Sequence, residues 1–161
     1  MNKSAILLAI CGASLLAACG GYSGMSNSPN QTPVVTGAWN MTFAPSGAQG
    51  STLPPSTGLT VSFSQNGNSL SGTVTAVNNP ASSCFPAIAP SGTTFNVTGQ
   101  VSSGTGSNLS VAVAFTSGST SGTIMGSGSL AYLGSSASGT FSSSTTVAGC
   151  GSGMFTMTRV G

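Results

Sequence analysis

The residues of this 161-residue chain with the greatest capacity for covalent chemistry are its four cysteines, Cys11, Cys19, Cys84 and Cys150. A cysteine thiolate can act as a nucleophile, bind a soft metal ion or pair in a disulfide, and a thiol can also carry a lipid. Acid–base groups that would assist catalysis are almost missing, because the sequence has no Asp, Glu or His and only two basic residues. We therefore expect the cysteines to serve as points of covalent attachment and not as catalytic groups.

The first 18 residues have the organisation of an export signal. Lys3 supplies one positive charge near the start, and residues 5–18 are apolar except for one serine. This stretch is too short to span a bilayer as a helix, which takes about 20 residues. Small residues end it, as they do before the cleavage site of a secretory signal. The sequence thus predicts a signal peptide over residues 1–18, cut between Ala18 and Cys19.

The run Leu16-Ala17-Ala18-Cys19 resembles the lipobox of bacterial lipoproteins, in which Leu and two small residues precede an obligatory cysteine. In that family the chain is cut before the cysteine, whose thiol receives a diacylglycerol, and in many bacteria the new amine takes a further acyl chain such as palmitate. The resemblance implies that Cys19 is the site of lipid attachment to a membrane. Each buried methylene contributes about 0.8 kcal/mol, so several acyl chains would hold the protein permanently.

Two further features of the signal bear on this interpretation. Cys11 is a poor lipid acceptor because the bulky Ile10 precedes it. Gly20 follows Cys19, and in lipoproteins an Asp at that position tends to retain the protein at the inner membrane. The resemblance therefore implies anchoring in the cell envelope, at the outer membrane where one exists. The alternative is an ordinary secretory signal with a chance cysteine.

Loss of the signal would leave residues 19–161 with one charged side chain, Arg159. General acid–base catalysis draws on His, Asp, Glu, Lys, Tyr or Cys, and a serine nucleophile needs a base partner. Only Tyr22, Tyr132 and the cysteines remain of that set. Zinc and calcium sites need imidazole, thiolate or carboxylate ligands, and nucleic-acid binding needs a basic surface. We expect no enzymatic activity, no metal, no cofactor and no nucleic-acid partner.

A disulfide between Cys84 and Cys150 is predicted from cysteine usage. These two cysteines remain once Cys11 leaves with the signal and Cys19 takes lipid, and an exported protein meets an oxidising environment. The chain-entropy treatment gives such a long-range bridge roughly 4 kcal/mol of stabilisation. The alternative, two free or metal-binding thiols, lacks any further ligand.

Composition divides the mature chain into two parts. Residues 20–36 are rich in Gly, Ser, Asn and Pro and have no apolar period. Such a segment is typical of a flexible tether. We assign residues 19–36 to the lipidated cysteine and its tether, and residues 37–161 to one all-β domain.

Eight segments of that domain alternate apolar and polar side chains with the period of two that is typical of strands. Asn66-Gly67, between the second and third segments, predicts a tight hairpin. No segment after the signal has a helical period. The side chains expected to face inward are Trp39, Met41 and Phe43; Leu59, Val61 and Phe63; Leu70, Gly72, Val74 and Ala76; Phe95, Val97, Gly99 and Val101; Leu109, Val111, Val113 and Phe115; Gly122, Ile124, Gly126, Gly128 and Leu130; those of a weak strand over residues 137–143; and Phe155, Met157 and Arg159.

Strands joined in sequence in this way form either an up-and-down barrel or a β-sandwich. The polar faces carry Ser, Thr and Asn, so edge strands would have little charge to protect them from pairing with other chains. Closing the sheet removes its edges. We therefore expect an eight-stranded antiparallel up-and-down β-barrel, with the sandwich as the alternative.

In a closed barrel the first and last strands are neighbours, which would bring Trp39 beside Arg159. A cation on an otherwise apolar face needs a partner, and stacking on an indole stabilises by about 0.5–2 kcal/mol. The alternative is that Trp39 belongs only to the core and Arg159 frays at the end of the chain.

The motif Gly37-Ala38-Trp39 and the ending Phe155-Thr156-Met157-Thr158-Arg159-Val160 resemble the calycins, the lipocalin and avidin group. Those barrels commonly open with Gly-x-Trp and carry an Arg or Lys near the end of the last strand, packed across the Trp. The resemblance implies a calycin-like barrel with a structural Trp39–Arg159 pair. It does not imply biotin binding, because avidin-type sites use several Trp residues and this chain has one.

The order of the loops predicts the orientation of the barrel. Cys84 lies between the third and fourth strands and Cys150 between the seventh and eighth, so both belong to the same rim. The tether would join the opposite end, beside Trp39. The mouth of the barrel would then face away from the membrane.

Two functions are compatible with such a domain. The first is a structural or interaction protein of the envelope with a filled barrel, whose partner would be another envelope protein. The alternative is a lipocalin-like carrier of a small apolar or uncharged ligand, since a small barrel can hold one. The expected lining in either case is Met41, Phe43, Val61, Phe63, Val111, Val113, Phe115, Phe155 and Met157.

Overall fold

The structure, a computed structural model, describes residues 32–47, 53–103, 107–131, 134–145, 147 and 149–161. Each of the eight strands begins or ends near a turn residue or a polar loop that the sequence marks. The strands are β1 Gly37–Pro45, β2 Thr57–Asn66, β3 Ser69–Asn78, β4 Thr93–Ser102, β5 Asn108–Ser117, β6 Thr120–Leu130, β7 Ser136–Ser143 and β8 Ser152–Arg159. Within the described part of the chain, no helix is long and apolar enough to cross a membrane.

The strands form one closed antiparallel barrel in the order β1-β2-β3-β4-β5-β6-β7-β8. Closure is made by β1 and β8, which pair from Trp39 opposite Arg159 to Pro45 opposite Gly153. The predicted up-and-down barrel is confirmed, and the sandwich alternative is wrong. The sequential order follows from short antiparallel connections such as the Gly67 turn, where the glycine has a φ of 58° that favours this residue.

The barrel interior is filled by side chains that alternate along the strands with solvent-facing Ser and Thr. Trp39, Val61, Val113, Phe155 and Met157 are completely buried. Every residue of the expected lining belongs to the same apolar core cluster. Burial of this apolar area is the main stabilising contribution to the fold.

Glycines on the inner face let strands and side chains of the wall approach each other closely. Gly128 of β6 pairs with Gly139 of β7. A Cβ built on Gly128 would lie 2.9 Å from the Gly139 Cα and would overlap the Ser138 carbonyl. Gly126 brings β6 against the Phe155 ring, 2.9 Å from where its Cβ would lie. The glycine-rich β6 therefore narrows the barrel until the strand side chains can fill it.

A β-bulge changes the inward face of β3. The register between β2 and β3 shifts between Thr60 and Val61, so that Thr60 pairs with Ala76 and Val61 with Val74. The prediction that Ala76 faces inward is wrong, because beyond the bulge Ala76 is exposed and Val77 packs against the core instead. An extra residue in one strand reverses the faces that follow it.

The barrel wall is split between β3 and β4 over half of their length. Their ladder runs only from Ser69 opposite Gln100 to Gly72 opposite Val97. Residues 73–78 and 93–96 are all described, and no backbone pairing joins these two segments. The split lies at the rim where the β3–β4 loop, residues 79–92, leaves the wall.

Candidate functional site

The two ends of the barrel hold the residues that the sequence marks as unusual. One, the Trp39 end, contains the start of β1 and the end of β8. The other, the disulfide end, contains the loops that follow β1, β3, β5 and β7. Both ends are closed by segments of the chain that are not strands, and each closure depends on a few polar side chains.

At the Trp39 end, Arg159 stacks on the indole and holds the preceding segment. Its guanidinium carbon lies 4.8 Å from the centroid of the Trp39 ring. Its Nη1 donates to the Thr36 carbonyl at 2.7 Å and its Nη2 to the Val34 carbonyl at 2.8 Å. The planar fork of five donors suits Arg to this combination of stacking and paired hydrogen bonds.

The Gly-x-Trp motif has a physical explanation at this end. Gly37 has a φ of 117°, and a Cβ there would lie 3.2 Å from the Arg159 Nη1. Glycine therefore permits both the bend into β1 and the close approach of the guanidinium. The indole nitrogen of Trp39 donates to the Val35 carbonyl at 2.7 Å, so the only tryptophan has its polar atom satisfied while it is buried.

Gln65 is a second polar clamp on the same segment, and no feature of the sequence around it predicts this role. Its Oε1 accepts from the Val35 amide at 2.7 Å, and its Nε2 donates to the Pro33 carbonyl at 2.9 Å. Val35 is completely buried in the core. The packed domain therefore begins before residue 37, inside the segment assigned to the tether, because residues 33–36 close this end of the barrel.

At the opposite end the predicted disulfide is present. Cys84 and Cys150 are bonded with their Cα atoms 5.3 Å apart, across a sequence separation of 66 residues. The bond joins the β3–β4 loop to the β7–β8 loop at one rim, as the loop order predicts. Ser143 Oγ donates to the Cys150 carbonyl at 2.7 Å and Thr145 Oγ1 to the Cys84 carbonyl at 3.3 Å, so both half-cystines are held on the backbone side too.

The β3–β4 loop is organised by the side chain of Asn79. Its Nδ2 donates to the carbonyls of Phe85 and Ile88, both at 2.7 Å. Its Oδ1 accepts from the buried hydroxyls of Thr57 and Ser83, both at 2.6 Å. One amide thus satisfies four groups, and among the described residues no buried side-chain nitrogen or oxygen is without a partner.

Apolar side chains of the same loop close the mouth of the barrel. Phe85 and Ile88 are 3% and 2% exposed. The Phe85 ring lies 6.2 Å from that of Phe115 and 6.4 Å from that of Phe141, centroid to centroid. The signal for this plug was present in the sequence as apolar residues beside Cys84 within a polar loop, but their partners are distant in the chain.

The outer wall carries an uncharged polar groove. Two adjoining depressions across β4, β5 and β6 have volumes of about 430 and 470 Å³ and share Gln100, Ser110 and Ser127. The first of them extends onto β7 and includes Met125, which is 58% exposed. This surface therefore combines uncharged hydroxyl and amide groups with apolar side chains. Within the described residues, no group of three potential metal ligands occurs.

The remaining predicted site residues lie outside the part that the structure describes. These are Ala18 and Cys19, the predicted cleavage and lipid-attachment positions, as well as Tyr22 and Tyr132. The structure brings together Trp39 with Arg159 and Cys84 with Cys150, at opposite ends of one barrel. Comparison with known proteins finds no matching protein family, no matching curated protein and no matching solved structure.

Proposed function

We propose that this protein is a non-enzymatic lipoprotein of the bacterial envelope with a structural or interaction role. It is exported by residues 1–18, is anchored through lipid on Cys19 in the outer membrane where the host has one, and presents the barrel as a compact module. Its partners are the membrane and another envelope protein, and its chemistry requires no cofactor, metal or nucleic acid.

The observation that carries this proposal is the filled barrel. Strand side chains occupy the interior, residues 33–36 close one end, and Phe85 with Ile88 closes the other. A carrier would need space for its guest in this interior. The surface left for recognition is the outer wall, where the groove that contains Gln100 and Ser127 offers uncharged hydrogen-bonding groups.

The anchor is supported by the sequence and by the direction in which the chain leaves the barrel. Thr32, the first described residue, lies at the Trp39 end, where its hydroxyl donates to Asn68 Oδ1 at 3.1 Å. The disulfide end would then point away from the membrane. The short segment between Cys19 and residue 32 would keep the barrel close to the lipid surface.

We further propose that the barrel is built on the calycin plan. Its support is the stacking of Arg159 on Trp39 and the positive φ of Gly37 in the Gly-x-Trp motif. Eight strands in sequential antiparallel order agree with that plan. The likeness concerns construction, and it brings no ligand with it.

Metabolic labelling tests the anchor. The full chain is expressed in a Gram-negative host that is fed an alkyne-tagged palmitate. We expect the wild-type protein to be labelled, Cys19→Ala to lose the label and the matched control Cys11→Ala to keep it. Label on Cys19→Ala, or none on the wild type, would contradict the proposal.

Native mass spectrometry tests the filled barrel. The chain from residue 20 onward, which keeps every residue that the structure describes, is exported to an oxidising periplasm and measured intact. We expect a bare mass two hydrogens below that of the reduced chain. A small molecule that stays bound and is lost on activation would favour the lipocalin-like carrier instead.

A further inference from the structure

The disulfide end differs from the rest of the barrel in what fills it. Elsewhere the interior is filled by side chains of the strands, whose backbones are fixed by cross-strand hydrogen bonds, and by Val35 at the Trp39 end. At the mouth it is filled by Phe85 and Ile88, which belong to the β3–β4 loop. These two side chains therefore reach the core from a loop and not from a strand.

The wall beside this loop is open. The β3–β4 ladder ends at Gly72 and Val97, and residues 73–78 and 93–96, which are all described, are not paired with each other. Displacement of the loop would therefore break no ladder bond between these strands. At the far end of the loop, Gly92 has a φ of 80°, in the region that favours glycine, and its Cβ would meet nothing within 4 Å. The open surroundings of Gly92 leave room for a bend there, and such a bend would break the hydrogen bonds by which the Thr93 hydroxyl accepts from the Ala89 amide at 3.0 Å and donates to the Ala87 carbonyl at 3.4 Å.

Few bonds hold the tip of the loop to the opposite wall. Asn79 mostly organises the loop internally, because three of its four partner groups belong to Ser83, Phe85 and Ile88. Among the described residues, the polar and covalent links from the tip to the β7–β8 loop are the Cys84–Cys150 bond and the weak hydrogen bond from Thr145 at 3.3 Å. The disulfide is therefore the covalent fastening of the plug, which the burial of Phe85 and Ile88 also holds in place.

A cavity already exists beside the plug. It has a volume of about 270 Å³ and is lined by the disulfide residue Cys84, by Phe85 and Phe115, and by Val147 among others. Outward movement of Phe85 would join this cavity to the space that its ring now occupies, against Phe115 and Phe141. The combined space would have aromatic walls and no charged group, since Arg159 lies at the opposite end.

We propose that the disulfide end is a latched binding site for a small, uncharged, apolar ligand, and that the Cys84–Cys150 bond is the latch. A dithiol opens it. The dithiol supplies two electrons and two protons, the bond between the two sulfurs breaks to give two thiols, and the dithiol becomes a cyclic disulfide. The loop then swings at residues 79–80 and at Gly92, and the ligand takes the place of Phe85.

The test uses the chain from residue 20 onward in three forms: oxidised, reduced with dithiothreitol, and as the double variant Cys84→Ser/Cys150→Ser. Peptide-resolved hydrogen exchange follows the loop, and the uncharged fluorescent probe N-phenyl-1-naphthylamine follows the site. The matched control is oxidised Thr145→Val, which keeps the latch and removes the two weak hydrogen bonds of this hydroxyl, to the Cys84 carbonyl and from the Val147 amide.

We expect faster exchange in residues 79–92 of the reduced protein and the double variant, with the β1 and β8 peptides still protected. If the loop of the oxidised protein is open in about 10% of molecules or fewer, the apparent affinity for the probe is lowered by that fraction. Reduction should therefore raise probe affinity by about tenfold or more. The anionic analogue 1-anilinonaphthalene-8-sulfonate should bind more weakly than the neutral probe, since no cation lies at this end. Thr145→Val should behave as the oxidised wild type.

Three results would overturn the proposal. The loop could keep its protection and probe affinity could stay unchanged after reduction. All strands could lose protection from exchange together on reduction, which would mean that the disulfide holds the whole barrel and not a separate loop. A double variant that does not fold would have the same meaning. Thr145→Val could open the loop as far as reduction does. None of these results concerns the lipid on Cys19, so the anchor proposal is tested separately.

Discussion

Replacement of Arg159 by Met is the sharpest test of how the Trp39 end is held. The change keeps an unbranched side chain of similar length over the indole and removes the charge and all five donors. Two hydrogen bonds to carbonyl oxygens, at 2.7 and 2.8 Å, are lost together with the cation–π contact at 4.8 Å. The free energy of unfolding is expected to fall because the segment of residues 33–36 loses one of its two clamps.

The magnitude can be worked out from these contacts. Each hydrogen bond is worth about 1 kcal/mol net, and a cation–π contact at an exposed site about 0.5–1 kcal/mol, which together give a loss of about 2–3 kcal/mol. For a domain of this size that corresponds to a fall in Tm of about 8–12 °C. Arg159→Lys keeps the cation but not the fork of donors, so we expect roughly half of the loss.

Urea unfolding followed by the fluorescence of Trp39, the only tryptophan, measures these differences directly. Thr158→Ala on the outer face of the same strand is the control and should stay within about 0.5 kcal/mol of the wild type. Gln65→Ala adds a second test: it releases the same segment, so its effect and that of Arg159→Met should sum to more than the loss in the double variant. A loss below about 0.5 kcal/mol for Arg159→Met would refute the clamp.

Three further predictions concern other parts of the barrel. Gly128→Ala places a Cβ against the Ser138 carbonyl and should lower the free energy of unfolding by about 3 kcal/mol or prevent folding. The matched control Gly151→Ala, which has open space around it, should leave the free energy of unfolding unchanged in the same urea assay. Asn79→Ala leaves two buried hydroxyls and two loop carbonyls without their partner, so it should lower the free energy of unfolding by about 3 kcal/mol. The control Asn96→Ala, at an exposed position, should change it little, and equal stability of the two variants would show that the Asn79 amide does not organise the loop. Because the sequence has no Asp, Glu or His, the free energy of unfolding should not change with pH between about pH 4.5 and 7. A steep change across this range, measured by urea unfolding at each pH, would contradict that reasoning.

Most of the strand structure could be predicted because it follows from local alternation. Eight apolar–polar segments correspond to the eight strands, and the lack of edge charge correctly favoured closure. The disulfide followed from counting, since Cys84 and Cys150 are the two cysteines outside the signal and lipobox. Ala76 was misplaced because a bulge depends on the neighbouring strand, which a period of two within one strand does not report.

The polar groups that close the ends of the barrel could not be found in the same way. In the sequence, Gln65 is an ordinary residue at the end of a strand and Asn79 an ordinary loop residue. Their importance comes from partners 30 and 22 residues away, respectively, the Val35 amide and the Thr57 hydroxyl. The pattern of a single sequence carries no information about which backbone groups lack a backbone hydrogen-bond partner at the end of a barrel. The side chains that bond to those groups can therefore be identified only from the tertiary structure.

The sequence by itself determined the all-β class, the strand order, the pairing of the cysteines and the near absence of charge, because period, turn residues and composition act locally. The tertiary structure alone decided that residues 33–36 belong to the packed domain, that Phe85 and Ile88 plug the mouth, and that the wall between β3 and β4 is split. The first two depend on the volume left inside a closed barrel once its inward glycines have narrowed it. That volume is a property of all eight strands together and of no single segment.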